Sequence, residues 1–141
     1  MAHDFKKYPE LTNNQMQLYY FQSPHKQITE DFRAKVEKVI DGDTIRVSVD
    51  FRDFNFPIRF LDIDAPEMDT PEGVISKKWL ENLIMNEEIE IKIDLTNKIE
   101  KWGRLLGRIM HRGIDIGEES LRNNMSEKFE KKGFIKEELI I

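Results

Sequence analysis

The chain has 141 residues, 39% of them hydrophobic, which is enough to form one ordinary globular domain with its own core. It contains no cysteine, which excludes disulfides and thiolate zinc sites. The formal net charge of −5 argues against a protein that coats nucleic acid, because that affinity rests largely on basic side chains. The charge is uneven, however, since residues 101–112 carry four bases and no acid, and the local field decides what a cleft attracts.

The N-terminus has no apolar segment behind Lys6 and Lys7 that could serve as a signal peptide, and no apolar run approaches transmembrane length. We therefore expect a cytoplasmic protein with no membrane partner. A phage-encoded protein or a processed precursor would show the same absence of a signal peptide.

Residues 1–31 sustain neither the period of a strand nor that of a helix. They include Leu18-Tyr19-Tyr20-Phe21, and disordered tails seldom carry such an apolar cluster. We predict that residues 1–31 are an N-terminal arm packed on the domain formed by residues 32–141. The aromatic cluster is expected to cover an apolar flank of that domain.

Strand signals begin at Phe32. The first strand leads into Asp-Gly-Asp at residues 41–43, and Asp-Gly is a strong hairpin-turn signal. Apolar and polar residues alternate over residues 45–49, which predicts a half-buried second strand. After a reversal at residues 50–55, residues 56–63 form a third strand that reads as apolar on both faces.

A helix over residues 75–84 follows, because apolar residues recur there at helical spacing. Residues 89–93 alternate as a fourth strand, and residues 105–110 form a fifth. Leu121, Met125 and Phe129 indicate a last amphipathic helix that ends at Gly133.

This order of elements predicts a mainly β fold with α-helices (α+β). The expected architecture is a five-stranded OB-type β-barrel with two to three helices. An open antiparallel sheet with helices on one face is the alternative, because periodicity alone does not close a barrel.

Acidic residues cluster after the third strand. Five acids and no base lie between Asp62 and Glu72, and Arg59 and Arg104 stand on either side of this block. Carboxylates gathered on a turn and faced by guanidinium groups suit a metal-assisted attack on phosphate.

Three blocks resemble the motifs of the staphylococcal nuclease-like (thermonuclease) family. They are Ile-Asp-Gly-Asp-Thr at residues 40–44, Arg-Phe-Leu-Asp-Ile-Asp-Ala-Pro-Glu at residues 59–67 and Lys-Trp-Gly-Arg-Leu at residues 101–105. They occur in the family's order, and the similarity covers residues 33–130. The resemblance implies an OB-type barrel and a calcium-dependent phosphodiesterase, an endonuclease acting on DNA and/or RNA.

The resemblance also implies a metal site. The family's metal carboxylates fall on Asp43 and Asp64, its backbone-carbonyl ligand on Ala65 and its candidate general base on Glu67. Calcium takes hard oxygen ligands and tolerates carbonyls and waters, so this set is chemically plausible. Glu67 beside such a cation could deprotonate a bound water.

The implied phosphate-binding arginines are Arg59 and Arg104, whose guanidinium forks match phosphate oxygens. We expect Lys101, Trp102 and Arg108 to contribute to substrate binding. Trp102 stands where relatives usually have tyrosine, which exchanges a hydroxyl for a better stacking surface.

Two neighbouring acids are expected to have other roles. Asp41 is expected to form the turn, and Asp62 to point away from Asp64 and pair with a base. Members of the family with degraded catalytic sets serve as nucleic-acid- or protein-binding modules, and a catalytically weak module is the alternative function. The complete set of catalytic residues favours the enzyme.

Overall fold

A computed structural model describes residues 3–94, 98–100 and 104–129, and the statements below refer to these residues. The strands are β1 (Phe32–Asp41), β2 (Thr44–Ser48), β3 (Phe56–Phe60), β4 (Ile63–Asp64), β5 (Glu88–Lys92), β6 (Leu105–His111), β7 (Ile114–Asp115) and β8 (Glu127–Lys128). The helices are α1 (Asn13–Tyr19), α2 (Pro71–Ile84) and α3 (Ile116–Arg122), and one 3-10 turn covers Tyr20–Gln22.

Five strands close into a barrel in the order β3-β2-β1-β5-β6, because β3 also pairs in parallel with β6. Strand β1 is shared between two partners: its first half pairs with β5 and its second half with β2. Register shifts on either side of Lys38 and Val39 bend it between the two, as bulges do. The predicted OB-type α+β barrel is confirmed, and the open-sheet alternative is wrong.

The core lies inside this barrel, and the third strand shows how the sequence fills it. Phe56, Ile58 and Phe60 are buried, whereas Pro57 and Arg59 are partly exposed. The prediction of a strand apolar on both faces is therefore wrong. The strand is also shorter than predicted: Asp62 has φ 66°, a left-handed conformation that interrupts an extended strand, and β4 begins after it.

Helix α2 was predicted correctly but begins earlier, at Pro71. The Oγ1 atom of Thr70 accepts a hydrogen bond from the amide of Gly73, and proline suits the first helical turn. Leu80 and Ile84 are buried among the core residues. None of the helices in the described part of the chain has the length and apolarity needed to span a bilayer.

The predicted last helix is wrong. Helix α3 ends at Arg122, and the chain turns through Asn124, which has φ 60°. The turn is fixed where the hydroxyl of Ser120 donates to that of Ser126 at 2.7 Å. Phe129 follows β8 instead of lying on a helix, and Gly133 lies outside the described residues.

The aromatic cluster near residue 20 does not cover the barrel, so that prediction is also wrong. Phe21 is 97% exposed and Leu18 is 69% exposed, and Tyr20 is exposed as well. Periodicity also missed α1, which begins after a capping box formed by Thr12 and Gln15.

Other residues anchor the N-terminal segment. Glu10, Leu11, Gln27 and Ile28 are all buried. The side chain of Gln27 accepts from the amide of Leu11 and donates to the carbonyl of Pro9, both at 2.7 Å, which ties the two ends of the segment together. The proposed division between residues 31 and 32 stays a prediction.

Candidate active site

Asp43 is the centre of the candidate site. Its Oδ2 atom accepts from the amide of Ala65 at 2.8 Å and from Nη2 of Arg59 at 3.3 Å. Its Oδ1 atom accepts from the hydroxyl of Thr44 at 3.0 Å. These hydrogen bonds join the β1–β2 turn to Arg59 in β3 and to Ala65, the residue after β4.

The turn itself is built by Asp41, as predicted. Its Oδ1 atom accepts from the amide of Asp43 at 3.0 Å, the local bond that Asp makes in a turn. Burial raises the pKa of Asp41 to about 6, and the side chain and negative charge of Asp43 act in the same direction, whereas the hydrogen bond from the amide of Asp43 opposes them.

Arg59 is held in a fixed direction by the backbone. Its Nη1 atom donates to the carbonyls of Phe60 and Ile63 at 2.7 and 2.8 Å. Its Nη2 atom donates to Asp43 and, at 3.2 Å, to Oδ1 of Asp64. These four hydrogen bonds fix the orientation of the guanidinium group before any substrate binds. A lysine ammonium group has only three donors and could not make all four.

The two predicted metal carboxylates lie close together. Nη2 of Arg59 bridges Asp43 and Asp64, so one cationic group already contacts both. The Asp64 side chain is 59% exposed, which leaves it open to solvent ligands. No group of three His, Cys, Asp or Glu side chains within the described ranges could hold a metal ion. Two carboxylates, a backbone carbonyl and water are nevertheless hard oxygen donors, and this donor set fits calcium.

Arg104 is connected to Asp43 through Thr44. Its Nε and Nη2 atoms donate to the two carboxylate oxygens of Glu100 at 2.8 and 3.1 Å, and its Nη1 atom donates to Thr44 at 3.1 Å. The hydrogen bond that Arg104 donates to Glu100 raises the pKa of Arg104 above its usual value, although burial opposes this. Arg104, Thr44 and Asp43 therefore form one hydrogen-bonded chain.

Sequence reasoning missed Thr44 and Glu100 as members of the site. Glu100 lies four residues before Arg104, a spacing that could have suggested an ion pair, and Thr44 directly follows Asp43. Phe129 was also missed, because it was assigned to a helix. Its ring lies 5.4 Å from the guanidinium carbon of Arg59, a cation–π contact that β4–β8 pairing makes possible.

Glu67 lies in the exposed loop between β4 and α2. Its carbonyl accepts from the amide and the hydroxyl of Thr70 at 3.0 and 2.6 Å, so its backbone is held. A Cβ atom on Gly73 would lie 2.0 Å from that carbonyl, so only glycine lets α2 begin against it. No hydrogen bond or ion pair joins the Glu67 carboxylate to another described residue, and Glu67 is exposed.

The three predicted substrate residues have different outcomes. Lys101 and Trp102 lie outside the described residues. Arg108 donates to Asp62 at 3.0 Å and to Asp115 at 3.2 Å, so Asp62 does pair with a base. Among the described contacts none joins Arg108 to the Asp43 cluster, and its role in substrate binding stays a prediction.

Gly42 allows the turn to approach α2, and we expect Gly42→Ala to damage both stability and the site. A Cβ atom at Gly42 would lie 2.0 Å from Oγ of the buried Ser76 and 2.8 Å from Cβ of Ala65. Overpacking of this kind lowers the free energy of unfolding by about 1–3 kcal/mol. Any displacement of Ala65 also moves the amide that holds Asp43. Urea denaturation and a nucleic-acid cleavage assay measure the two effects.

Gly113→Ala is the matched control. Gly113 has no atom within 4 Å of an added Cβ, but its φ of +81° is left-handed. This variant is expected to lose about 1–2 kcal/mol through backbone strain and to keep its cleavage rate. If Gly42→Ala unfolds and cleaves like the parent protein, the close approach at Gly42 has no role in the site.

Comparison with known proteins gives several relatives, among them the following three. Micrococcal nuclease of Shigella flexneri is 34% identical over 77 residues, which is 55% of this chain and 41% of that protein. Protein ParB of Escherichia coli is 32% identical over 79 residues, 56% of this chain and 42% of that protein. Endonuclease YncB of Bacillus subtilis (strain 168) is 25% identical over 97 residues, 64% of this chain and 45% of that protein. The chain spans less than half the length of these curated relatives.

The family model described as staphylococcal nuclease homologue matches residues 57–138, more than half of the chain. The match includes Arg59, Asp64, Glu67 and Arg104, and it begins after the turn that carries Asp43. On this match, the chain belongs to the staphylococcal nuclease homologue family.

Proposed function

We propose that this protein is a calcium-dependent endonuclease that hydrolyses phosphodiester bonds in DNA and/or RNA. One observation carries the proposal: Arg59 and Arg104 are both hydrogen-bonded to the Asp43–Thr44 pair. Two cationic forks thus converge beside clustered carboxylates, which suits an anionic substrate with a metal ion. The names of two relatives, a nuclease and an endonuclease, support this proposal.

Asp43, Asp64 and the carbonyl of Ala65 would hold the calcium ion. When bound, the ion would neutralise phosphate charge and favour ionisation of a water molecule. The amide of Ala65 already fixes Asp43, so the residue that would offer its carbonyl also orients a neighbouring carboxylate.

The remaining chemistry is assigned to three side chains. Glu67 accepts the proton of the attacking water as its oxygen bonds to phosphorus, and the bond to the leaving oxygen breaks. Arg59 and Arg104 donate to the phosphate oxygens as negative charge builds up on them. In Arg104 one hydrogen on each Nη atom remains for the substrate beside the observed contacts. In Arg59 the observed contacts use both hydrogens of each Nη atom, so its Nε–H is the donor left for a phosphate oxygen.

We expect cleavage to require calcium. A labelled single-stranded DNA, a duplex DNA and an RNA should each be tested with calcium, magnesium and chelator. Cleavage is expected with calcium only, because magnesium demands a tighter octahedral shell. Undiminished cleavage in chelator would refute the calcium requirement.

Thermal unfolding with and without calcium tests ion binding independently of cleavage. Calcium at a hundredfold excess over its Kd should raise the free energy of unfolding by about 2.7 kcal/mol. Asp64→Asn should remove this gain together with cleavage. Asp62→Asn is the matched control, because it lies in the same acidic block but pairs with Arg108, and asparagine tolerates the left-handed backbone there.

A further inference from the structure

The outer side of the barrel carries the candidate site and continues past it along β2. Ile45 and Val47 are buried in the core. Because side chains alternate between the two faces of a strand, Thr44 and Arg46 both lie on the outer side. Thr44 accepts a hydrogen bond from Arg104 there. Arg46 is therefore the next outward residue of β2 after the candidate site, about 7 Å along the strand.

A second cation stands directly opposite Arg46. Lys38 of β1 is its cross-strand partner, and Lys38 is exposed while Arg46 is partly exposed. Like charges placed opposite each other in an antiparallel pair destabilise the pair. No described residue forms an ion pair with either side chain. The two cations therefore repel each other in the free protein, and an anion that contacts both would relieve the repulsion.

The hydrogen-bond donors of this pair are only partly used. Arg46 donates from Nε to Oδ1 of Asn55 at 2.9 Å and from Nη2 to the carbonyl of Asn55 at 3.0 Å. These bonds fix the direction of the guanidinium, and no acceptor for its Nη1 atom is found within the described ranges. The ammonium group of Lys38 likewise has no acceptor among those residues. Both side chains can therefore donate to the oxygens of a bound anion.

A third cation extends this surface in the same direction. Lys35 is exposed and pairs with Ser48, the next outward position of β2 after Arg46. The one carboxylate between the two lysines, that of Glu37, accepts from the hydroxyl of Ser48 at 2.7 Å. Lys35, Lys38 and Arg46 form what we call the basic strip. Its cations are spaced along a line that leads away from the candidate site.

We propose that the basic strip binds the sugar–phosphate backbone of a nucleic acid strand, beyond the phosphate that is cleaved. Arg59 pairs with Thr44 across β3 and β2, and Arg104 bonds to Thr44, so the strip begins next to both arginines. A line of cations suits a polymer with a charge on every unit better than a compact anion. Contacts to phosphates carry no sequence information, so the strip contributes affinity without base preference. The inference rests on the proposed function, because it takes nucleic acid as the substrate.

Lys38→Gln tests the strip by binding alone. The probe is a fluorescein-labelled single-stranded DNA of about 16 nucleotides, kept intact by chelator and followed by anisotropy at several salt concentrations. At low salt the variant is expected to bind about three- to tenfold more weakly than the parent. The slope of log affinity against log salt should become shallower by about 0.7, the value for one lost phosphate contact on a single strand.

Lys92→Gln is the matched control, because it removes the same charge from another exposed strand position. Lys92 lies on β5 and pairs with Glu90 at 3.6 Å. The affinity and salt slope of this variant should equal those of the parent. Equal losses in the two variants would show that only net charge matters and would overturn the proposal. A parent protein that does not bind the probe at low salt would overturn it as well.

Thermal unfolding separates a binding role of Lys38 from a structural one. Removing one of two like charges that face each other should leave the melting temperature unchanged or raise it. A Lys38→Gln variant that melts at a lower temperature and binds the probe like the parent would overturn the proposal.

Cleavage distinguishes a failure of this inference from a failure of the proposed function. With calcium, the ratio of kcat/KM for a long single-stranded DNA to kcat/KM for a dinucleotide should fall by about three- to tenfold in Lys38→Gln, because the dinucleotide is too short to reach the strip. A parent-like ratio with parent-like binding would overturn the inference and leave the nuclease proposal intact. Weaker binding by Lys38→Gln, together with a parent protein that cleaves neither substrate, would instead refute the proposed function and support the strip.

Discussion

Arg104→Lys is expected to lower kcat for phosphodiester cleavage by about two to three orders of magnitude. Lysine keeps the positive charge but cannot contact both oxygens of Glu100 and the hydroxyl of Thr44 together, as the guanidinium does. The ammonium group would therefore have no fixed direction toward the phosphate. Steady-state and single-turnover rates at saturating calcium measure the loss.

Arg112→Lys is the control for Arg104→Lys. Arg112 belongs to the same basic stretch of sequence, but its side chain is 80% exposed, and we expect little change in rate. If Arg104→Lys also keeps near-parent turnover, Arg104 is only a counter-charge. Arg59→Lys should lose stability as well as rate, because Nη1 of Arg59 donates to two backbone carbonyls.

Glu67→Gln is expected to lower kcat by about two to four orders of magnitude. The amide has nearly the shape of the carboxylate but cannot accept the proton of the attacking water. Because Glu67 is exposed and its side chain makes no hydrogen bond or ion pair with another described residue, the melting temperature should not change. Binding of a labelled oligonucleotide, followed by anisotropy, should change little, so that kcat and affinity separate.

Asp69→Asn controls for loss of one negative charge in the same exposed loop, and it should cleave at the parent rate. The contrary result for Glu67→Gln would be a collapse of affinity with turnover per bound substrate preserved. In that case Glu67 would hold the metal ion or the loop instead of acting as the base.

Local patterns were sufficient for much of the barrel. The alternation around Val47, the Asp-Gly turn before Asp43 and the spacing of Leu80 and Ile84 each reflect preferences of a few neighbouring residues. These patterns failed where apolar residues at helical spacing do not lie on one helix. Leu121, Met125 and Phe129 have helical spacing, yet the left-handed Asn124 ends that stretch and the chain continues into β8.

In the candidate site, too, some features were predictable from the sequence and others were not. Motif order indicated the family, and the pairing of Asp62 with a base was expected from strand alternation. The sequence did not predict that one guanidinium nitrogen of Arg59 bridges Asp43 and Asp64, because this contact depends on how β4 leaves the barrel. The position of Phe129 over Arg59 likewise depends on a strand pair between distant segments.

The sequence by itself indicated the family, the five main strands along the chain and the residue types of the candidate site, because these follow from motifs and from short-range periodicity. Only the tertiary structure decided which N-terminal residues anchor to the barrel. Phe21 was expected to be an anchor and is exposed, whereas Glu10, which no sequence pattern singled out, is buried against Arg52. The physical reason is that burial of a charge depends on finding an opposite charge from a distant segment, and the local sequence does not specify that partner.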